Sequence, residues 1–123
     1  MRDIKFRAWD KVSKTMYTDA INNCVDSFDL ILKYPQVYEV MEYTGLKDKN
    51  DVEIYEGDIV SAFDGVIKAK IIWGFCGFEF KWIDGISDNL RRRKTEPIFG
   101  NVSIIFEVIG NICENPEMLE RSK

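Results

Sequence analysis

The densest group of potential metal ligands lies in residues 42–60, EYTGLKDKNDVEIYEGDIV. Its side chains offer oxygen atoms of the kind that Ca²⁺ prefers, from Asp48, Asn50, Asp51, Glu53, Glu56 and Asp58. An EF-hand loop beginning at Asp48 would need an oxygen ligand at position 52, glycine at 53 and glutamate at 59. Those positions hold Val52, Glu53 and Ile59, so the pattern does not predict an EF-hand.

The same stretch is better explained as a corner that sets the direction of the chain. Gly45 and Gly57 allow bends, because glycine adopts positive φ without steric cost. Asn50 and Asp51 lie in an exposed polar turn, and Asp58 can accept backbone N–H groups as aspartate does in Asx-turns. We therefore expect these five residues to have a structural role and to bind no metal.

Catalytic motifs are missing from the sequence. Histidine is absent, which removes the commonest general base and the Ser-His and Cys-His nucleophile pairs. The sequence contains no glycine-rich phosphate loop, no Cys-x-x-Cys and no nucleophile elbow. We therefore expect a protein that is not an enzyme and that needs no cofactor.

Arg91, Arg92, Arg93 and Lys94 form the one dense basic run of the sequence. Adjacent cations repel one another, so they require water or an anionic partner. A solvated loop is the simpler interpretation, and contact with a phosphate or an acidic protein surface is the functional one. These four residues are the candidate interaction site.

A second candidate for nucleic-acid binding is WGFCGFEF, residues 73–80. Aromatic residues beside glycine occur on the RNA-binding strands of small β domains, where exposed rings stack on bases. The RNP1 pattern requires Lys or Arg before the first glycine, whereas this sequence has Trp73. We expect the aromatic residues of Phe75–Trp82 to belong mainly to a core.

Composition indicates a globular cytoplasmic protein. The 123 residues are 46% hydrophobic and 31% charged, with a net charge of −4, which is unlike a general polyanion binder. Cys24, Cys76 and Cys113 are widely spaced and odd in number, which favours free buried thiols in a reducing compartment. The start, Met1-Arg2-Asp3-Ile4-Lys5, lacks an apolar signal region, and no apolar run approaches the ~18 residues that span a membrane.

Alternating apolar residues predict several short strands. DIKFRAW, residues 3–9, alternates as a half-buried strand, with Lys5 and Arg7 on the polar face, and TMYTDAI is its return strand. QVYEVMEYTGL and VEIYEGDIVSAF, the latter bent at Glu56-Gly57-Asp58, are further strands, and Asp64-Gly65 predicts a hairpin turn.

VIKAKIIW and FEFKW predict a hairpin that shares one apolar face. Its members are Ile67, Ala69, Ile71, Trp73, Phe78, Phe80 and Trp82. We expect all seven side chains to face one interior.

Three segments are harder to assign. DSFDLILKYP predicts a short helix that ends before Pro35 or, alternatively, a loop with one buried strand. Residues 84–101 predict a long irregular loop, and residues 102–112 a strand. The tail predicts a short helix with Asn115 as N-cap and Pro116 at its first position.

The pattern as a whole predicts one domain, residues 1–123, of mainly β class. Hairpin-linked strands without βα alternation favour an antiparallel barrel-like or sandwich-like fold, such as a small SH3-like barrel core, with one or two short helices.

Three blocks together resemble the YopX-like family of small phage and prophage proteins. They are MRDIKFRAWDKVSKTMY, EYTGLKDKNDVEIYEGDIV and FEVIGNICENPEMLE. The resemblance implies a compact, mostly β accessory protein of phage or prophage origin, with no catalytic residue or cofactor to carry over.

Two classes of function remain from the sequence. The first is a non-enzymatic interaction module that binds a protein, including a second copy of itself, through exposed strand edges. The alternative is a small nucleic-acid-binding β-barrel that uses Arg91–Lys94 and the aromatic residues of Phe75–Trp82. Because the chain is acidic overall, the first is favoured.

Overall fold

The structure is a computed structural model that describes residues 4–18, 28–63, 65–74, 77–84, 95–97 and 105–119. Two antiparallel sheets make up its β structure. The prediction of a mainly β, antiparallel fold is confirmed. Arg91–Lys94, Phe75, Cys24 and Cys76 lie outside the described residues.

The first sheet has four strands in the order β2-β1-β3-β4. Its strands are β1 (Phe6–Asp10), β2 (Thr15–Tyr17), β3 (Tyr38–Lys47) and β4 (Glu53–Tyr55). Between β2 and β3 lies helix α1 (Phe28–Lys33), so the segment before Pro35 is the helix rather than the strand. Ile31 of α1 packs on Ala8 and Tyr38, which gives this sheet a small core on one face.

The second sheet has five strands in the order β8-β7-β6-β5-β9. They are β5 (Asp58–Ala62), β6 (Ile67–Gly74), β7 (Gly77–Asp84), β8 (Thr95–Pro97) and β9 (Glu107–Asn111). All five residues of β5 are buried. The larger core of the molecule lies against this sheet and contains Ile54, Val60, Ala69, Ile71 and Phe80.

The hairpin turns follow the glycine signals of the sequence. Gly65 has a φ of 86°, and the Val66 N–H donates to the Phe63 carbonyl at 3.2 Å between β5 and β6. Gly74 pairs with Gly77, so two residues connect β6 to β7. Cross-strand pairing then brings Ile71 opposite Phe80, and these residues form the centre of the larger core.

Two members of the predicted apolar face, Ile67 and Trp73, are not part of the core, and Trp73 is largely exposed. Trp73 is 59% exposed, whereas Phe78 and Trp82 are half-buried against the core. The β6–β7 hairpin extends beyond the end of the β5–β6 pairing, at Ile59 and Lys70, so none of the described strands lies beside Trp73 on that edge. The alternation of side chains between the two faces of β6 and β7 was predicted correctly. The point at which pairing with β5 ends was not predicted.

β1 is buried on both faces rather than half-buried. Ala8 is fully buried beneath α1, and Arg7, predicted on a polar face, is only 7% exposed. The apolar–polar alternation predicted one buried face and one solvent-exposed face. Here a charged side chain is buried against the second sheet, where it has an ionic partner.

The C-terminal part of the chain also differs in detail from the prediction. β8 lies at a sheet edge within the segment predicted as a loop, a position that tolerates Pro97. The final strand begins at Glu107, and residues 102–104 lie outside the described residues. The terminal helix is one 3-10 turn, Pro116–Leu119. The Asn115 side chain, predicted to cap this turn, instead accepts a hydrogen bond from the Asn111 N–H.

Candidate functional site

A buried ion pair connects the two sheets. Nη1 of Arg7 on β1 lies 2.8 Å from Oδ1 of Asp58, the first residue of β5, and both side chains are buried. The guanidinium also donates to the Glu56 carbonyl at 3.1 Å and lies 4.9 Å from the centre of the Tyr55 ring. The pair therefore orients one sheet against the other.

Asp58 has a second structural bond. Its Oδ2 accepts the Tyr55 N–H at 2.7 Å, which closes the bend between β4 and β5. Burial raises the pKa of Asp58, and this effect outweighs the opposing influence of the Arg7 guanidinium. Both carboxylate oxygens are bonded within the protein, so the structure gives Asp58 a supporting role.

Asp48 forms a similar corner at the other end of β4. One carboxylate oxygen accepts the N–H groups of Asn50 and Val52 at 2.8 and 2.9 Å. The other accepts the Val108 N–H of β9 at 2.8 Å. Asp51, in the turn itself, has a φ of 66°. The described residues contain no group of three or more Asp, Glu, Cys or His residues able to hold a metal ion.

Gly45 and Gly57 have positive φ angles of 87°. Gly45 lies where the pairing of β3 with β4 shifts register. Gly57 lies where the chain passes between the sheets, and a Cβ atom there would come within 2.9 Å of the Met41 sulfur. Both the backbone angle and the contact therefore favour glycine at position 57.

Three glutamates and a thiol lie near the ion pair. Burial and the nearby Glu42 and Glu39 carboxylates raise the pKa of Glu56. Burial and Glu39 raise the pKa of the Cys113 thiol to about 12, and its Sγ lies 3.5 Å from the Glu39 carboxylate. A thiol with that pKa stays protonated near neutral pH and is a poor nucleophile.

The aromatic residues proposed for base stacking are mostly packed inside. Phe80 is buried and stacks on Phe106 and Trp82, with ring centres 4.8 and 5.2 Å apart. Trp73 is the exposed ring of this group within the described residues, in edge-to-face contact with Phe78 at 4.8 Å.

A cleft between the two sheets was not predicted from the sequence. Its volume is about 190 Å³, and residues of both sheets and of the turn between them line it. They include Glu39, Val40 and Met41 from β3, Glu56 and Gly57 from the turn, and Trp73 from β6. The cleft exists because strand pairing ends there on both sides, and hydrophobic periodicity does not indicate where pairing ends.

Another cavity lies beside the pair Lys70 and Lys81. It measures about 300 Å³ and is also lined by Ile83 and Leu119. The two lysines are directly opposite on β6 and β7, and burial together with Lys81 lowers the pKa of Lys70. Its polar lining is therefore cationic, in contrast to the carboxylates of the inter-sheet cleft.

These features describe a small two-sheet β protein in which the buried ion pair and Asp48 are bonded mainly to backbone groups. The chain belongs to the YopX protein family, whose model matches residues 5–120. It is similar in structure to protein EF1440 from Enterococcus faecalis, seen in a crystal structure, with a TM-score of 0.61 and 29% sequence identity. The similarity covers 98% of this chain and 100% of the other.

No curated protein matches the chain. Within the described ranges, no helix is both long and apolar enough to cross a membrane.

Proposed function

We propose that this protein is a non-enzymatic interaction module that binds another protein, and that it acts as a phage- or prophage-encoded accessory protein in the bacterial cytoplasm. The observation that carries the proposal is the exposure of bulky apolar side chains at the ends of β6. Phe63 and Val66, in the turn before β6, are 65% and 63% exposed, and Trp73 near its other end is 59% exposed. Large exposed rings in a small domain are typical of surfaces that bind other proteins.

Phe63 adds a conformational argument. Its φ is 54°, in the left-handed region that bulky residues rarely adopt, at a cost of about 1–2 kcal/mol. Its exposed ring recovers little of that cost by packing within the chain. Contact with a partner would supply the missing burial.

The polar groups support a binding role rather than catalysis. Arg7, Asp58 and Asp48 are bonded to backbone or to each other, and the Cys113 thiol is held protonated. The alternative function, nucleic-acid binding through Arg91–Lys94 and the aromatic residues of Phe75–Trp82, has weaker support because Phe80 lies in the core.

The test compares affinity capture from phage-infected cells using wild type and Phe63→Asn. Asparagine tolerates positive φ, so this variant should fold at least as well while losing the ring. Val12→Ser is the matched control, because Val12 is 79% exposed in the turn between β1 and β2. A protein captured by wild type and by the control, but not by Phe63→Asn, and resistant to nuclease, supports the proposal.

The interaction must also be reproduced with the purified partner, and sedimentation of the protein alone tests self-association. Capture that disappears after nuclease treatment would instead favour nucleic acid. A complete absence of partners and of self-association would contradict the proposed function.

A further inference from the structure

The turn between β4 and β5 bridges the edges of two strands, one in each sheet. The Glu56 N–H donates to the Glu42 carbonyl of β3 at 2.9 Å, and the next N–H, of Gly57, donates to the Ile71 carbonyl of β6 at 2.8 Å. Two successive residues of the turn thus donate hydrogen bonds to different sheets, the first to β3 and the second to β6. At this point the turn therefore fills the space between the edges of β3 and β6.

The edge of β3 continues past this turn. The Tyr43 N–H donates to the Lys5 carbonyl at 2.9 Å, which fixes the alternation of the β1–β3 ladder. By that alternation Glu42 and Val40 direct their N–H and C=O groups away from β1, and the Glu42 carbonyl does accept Glu56 as required. β4 pairs with β3 only at Tyr43 and Lys47, so no described strand lies along the edge at Val40.

The edge of β6 continues in the same way. Gly74 and Gly77 close the two-residue hairpin, so in the β6–β7 ladder Ile71 and Trp73 direct their backbone groups away from β7. The bond from Gly57 to the Ile71 carbonyl agrees with this assignment. Pairing with β5 ends at Lys70, which leaves the edge at Trp73 without a neighbouring strand among the described residues.

The inter-sheet cleft therefore lies between two strand edges that continue past the turn. Val40 and Trp73 each lie two residues beyond the positions that the turn already bonds, and both line the cleft. We propose that the cleft binds one extended segment of a partner protein, with its backbone between β3 and β6 and an arginine or lysine side chain beside Glu39 and Glu56. This inference rests on the proposed function and names the surface and the chemistry of the partner.

The charges of the cleft select a cation. Glu39 and Glu56 line it, and the rise in the pKa of Glu56 reflects both its burial and repulsion from neighbouring carboxylates. A guanidinium or ammonium would relieve that repulsion, and the exposed Trp73 ring at the cleft offers a cation–π contact. Lys70 also lines the cleft, but burial and the like charge of Lys81, opposite it on β7, lower its pKa.

Addition of a strand to an open edge is an established mode of peptide recognition, in which backbone bonds give affinity and side-chain contacts give specificity. The cleft would provide both, because each of its edges offers backbone groups and its carboxylates select the side chain. Phosphate-rich ligands are disfavoured, because the same carboxylates would repel them.

The first experiment selects peptides from a random dodecapeptide library displayed on phage, against the immobilised protein. We expect the enriched peptides to carry arginine or lysine flanked by β-branched residues. Glu56→Gln should weaken a selected peptide by about tenfold or more, the loss typical of a charge-assisted contact. Glu117→Gln removes the same charge from the exposed C-terminal turn and should bind as wild type does.

The location is tested by titrating the ¹⁵N-labelled protein with a selected peptide. The backbone amides of Val40 and Trp73 should shift, and methylation of the peptide's backbone nitrogens beside its basic residue should abolish binding. Trp73→Ser should weaken binding while lowering the melting temperature by no more than about 5 °C, because the ring is largely exposed.

Several outcomes would overturn this inference. They are no enrichment, enrichment of acidic or uncharged peptides, equal binding by Glu56→Gln, or shifts confined to other residues. A dimer of the protein that Trp73→Ser abolishes would place a second copy in the cleft instead. If a captured partner binds Glu56→Gln and Trp73→Ser normally, the cleft assignment fails while the proposed interaction function stands.

Discussion

The guanidinium of Arg7 and the carboxylate of Asp58 are 2.8 Å apart, and both are almost completely buried between the two sheets. The pair is local to neither sheet, because Arg7 belongs to β1 and Asp58 to β5. Its bonds extend to the Tyr55 N–H and the Glu56 carbonyl, so it also fixes the turn at which the cleft begins.

Removing one partner of this pair should strongly destabilise the protein. Asp58→Asn leaves the Arg7 charge buried without a counter-ion, and we expect a loss of about 3 kcal/mol in the free energy of unfolding. The double variant Asp58→Asn/Arg7→Met should lose much less free energy of unfolding than the sum of the losses in the two single variants. We expect a coupling of about 2 kcal/mol in a double-mutant cycle measured by urea unfolding.

The exposed pair Lys47 and Asp51, 3.6 Å apart, provides the comparison. Lys47→Met should change the free energy of unfolding by less than about 0.5 kcal/mol. Strictly additive effects at Arg7 and Asp58 would show that the buried contact does not connect the sheets.

Glu56 should make stability fall as pH rises. Its pKa is raised above the ordinary value of 4.5, so between those two values the folded protein holds a proton that the unfolded chain has released. The contribution of Glu56 to the stability of the folded protein is therefore complete below the ordinary pKa. It is lost as pH rises through the pKa of Glu56 in the folded protein. Glu56→Gln should equal wild type at low pH and become more stable than it toward neutral pH.

Urea midpoints of the two proteins across roughly pH 4 to 8 measure this difference. Because Glu39 contributes to the shift, the advantage of Glu56→Gln should shrink when Glu39→Gln is also present. A difference that is constant with pH would contradict the assignment.

Local signals predicted the elements of the fold well. The alternation in β6 and β7 identified their pairing and the buried positions Ala69, Ile71 and Phe80, because side chains alternate between faces along a strand. The segment before Pro35 was correctly given helix as one of its two alternatives.

Features that depend on distant pairing could not be predicted. Arg7 appeared to be solvent-facing because its partner Asp58 is remote in sequence, and Trp73 appeared buried because nothing local shows where β5 stops. The inter-sheet cleft has the same origin: it is a gap between two ladders, and each ladder looks complete in its own sequence segment.

Trp82 and Trp73 should differ sharply in their contributions to stability. Trp82 is half-buried against the core and stacks on Phe80, so Trp82→Ala should cost about 3 kcal/mol. Trp73→Ala loses mainly an edge contact with Phe78 and should cost about 1 kcal/mol or less. Urea unfolding monitored by circular dichroism measures both losses. Tryptophan fluorescence provides a second signal, because each variant retains other tryptophans.

The indole nitrogen of Trp82 refines this prediction. Nε1 is buried and has no hydrogen-bond partner in the part of the chain that the structure describes, so Trp82→Phe should cost clearly less than Trp82→Ala. Equal losses for Trp82→Ala and Trp73→Ala would mean that the assignment of the core face is wrong.

Substitutions of Asp51 test the turn within residues 42–60. Its φ of 66° suits glycine, and its carboxylate makes an exposed contact with Lys47, so Asp51→Gly should be neutral or stabilising by up to about 1 kcal/mol. Asp51→Ala should destabilise by about 1 kcal/mol, because alanine is strained at positive φ. A clear loss of stability in Asp51→Gly would indicate that the carboxylate makes a stabilising contact, for example with a bound cation. Calorimetric titration with Ca²⁺ would then test for that cation.

The basic run Arg91–Lys94 separates the two classes of function. If it contacted phosphates, replacing arginines by alanine would weaken binding and flatten its salt dependence by about one unit of slope per lost contact. We expect instead that neither a single-stranded nor a duplex oligonucleotide binds the protein at physiological salt, because the chain is acidic overall with a net charge of −4. The test variant combines Arg91→Ala, Arg92→Ala and Arg93→Ala.

A charge-matched control removes three exposed lysines elsewhere, Lys11, Lys33 and Lys47. Fluorescence anisotropy over a range of salt concentrations should give the same flat response for wild type, the arginine variant and the control. Micromolar binding by wild type that the control retains and the arginine variant loses would make nucleic-acid recognition the leading function. In that case the carboxylates of the inter-sheet cleft would face away from the bound strand, since phosphates avoid negative charge.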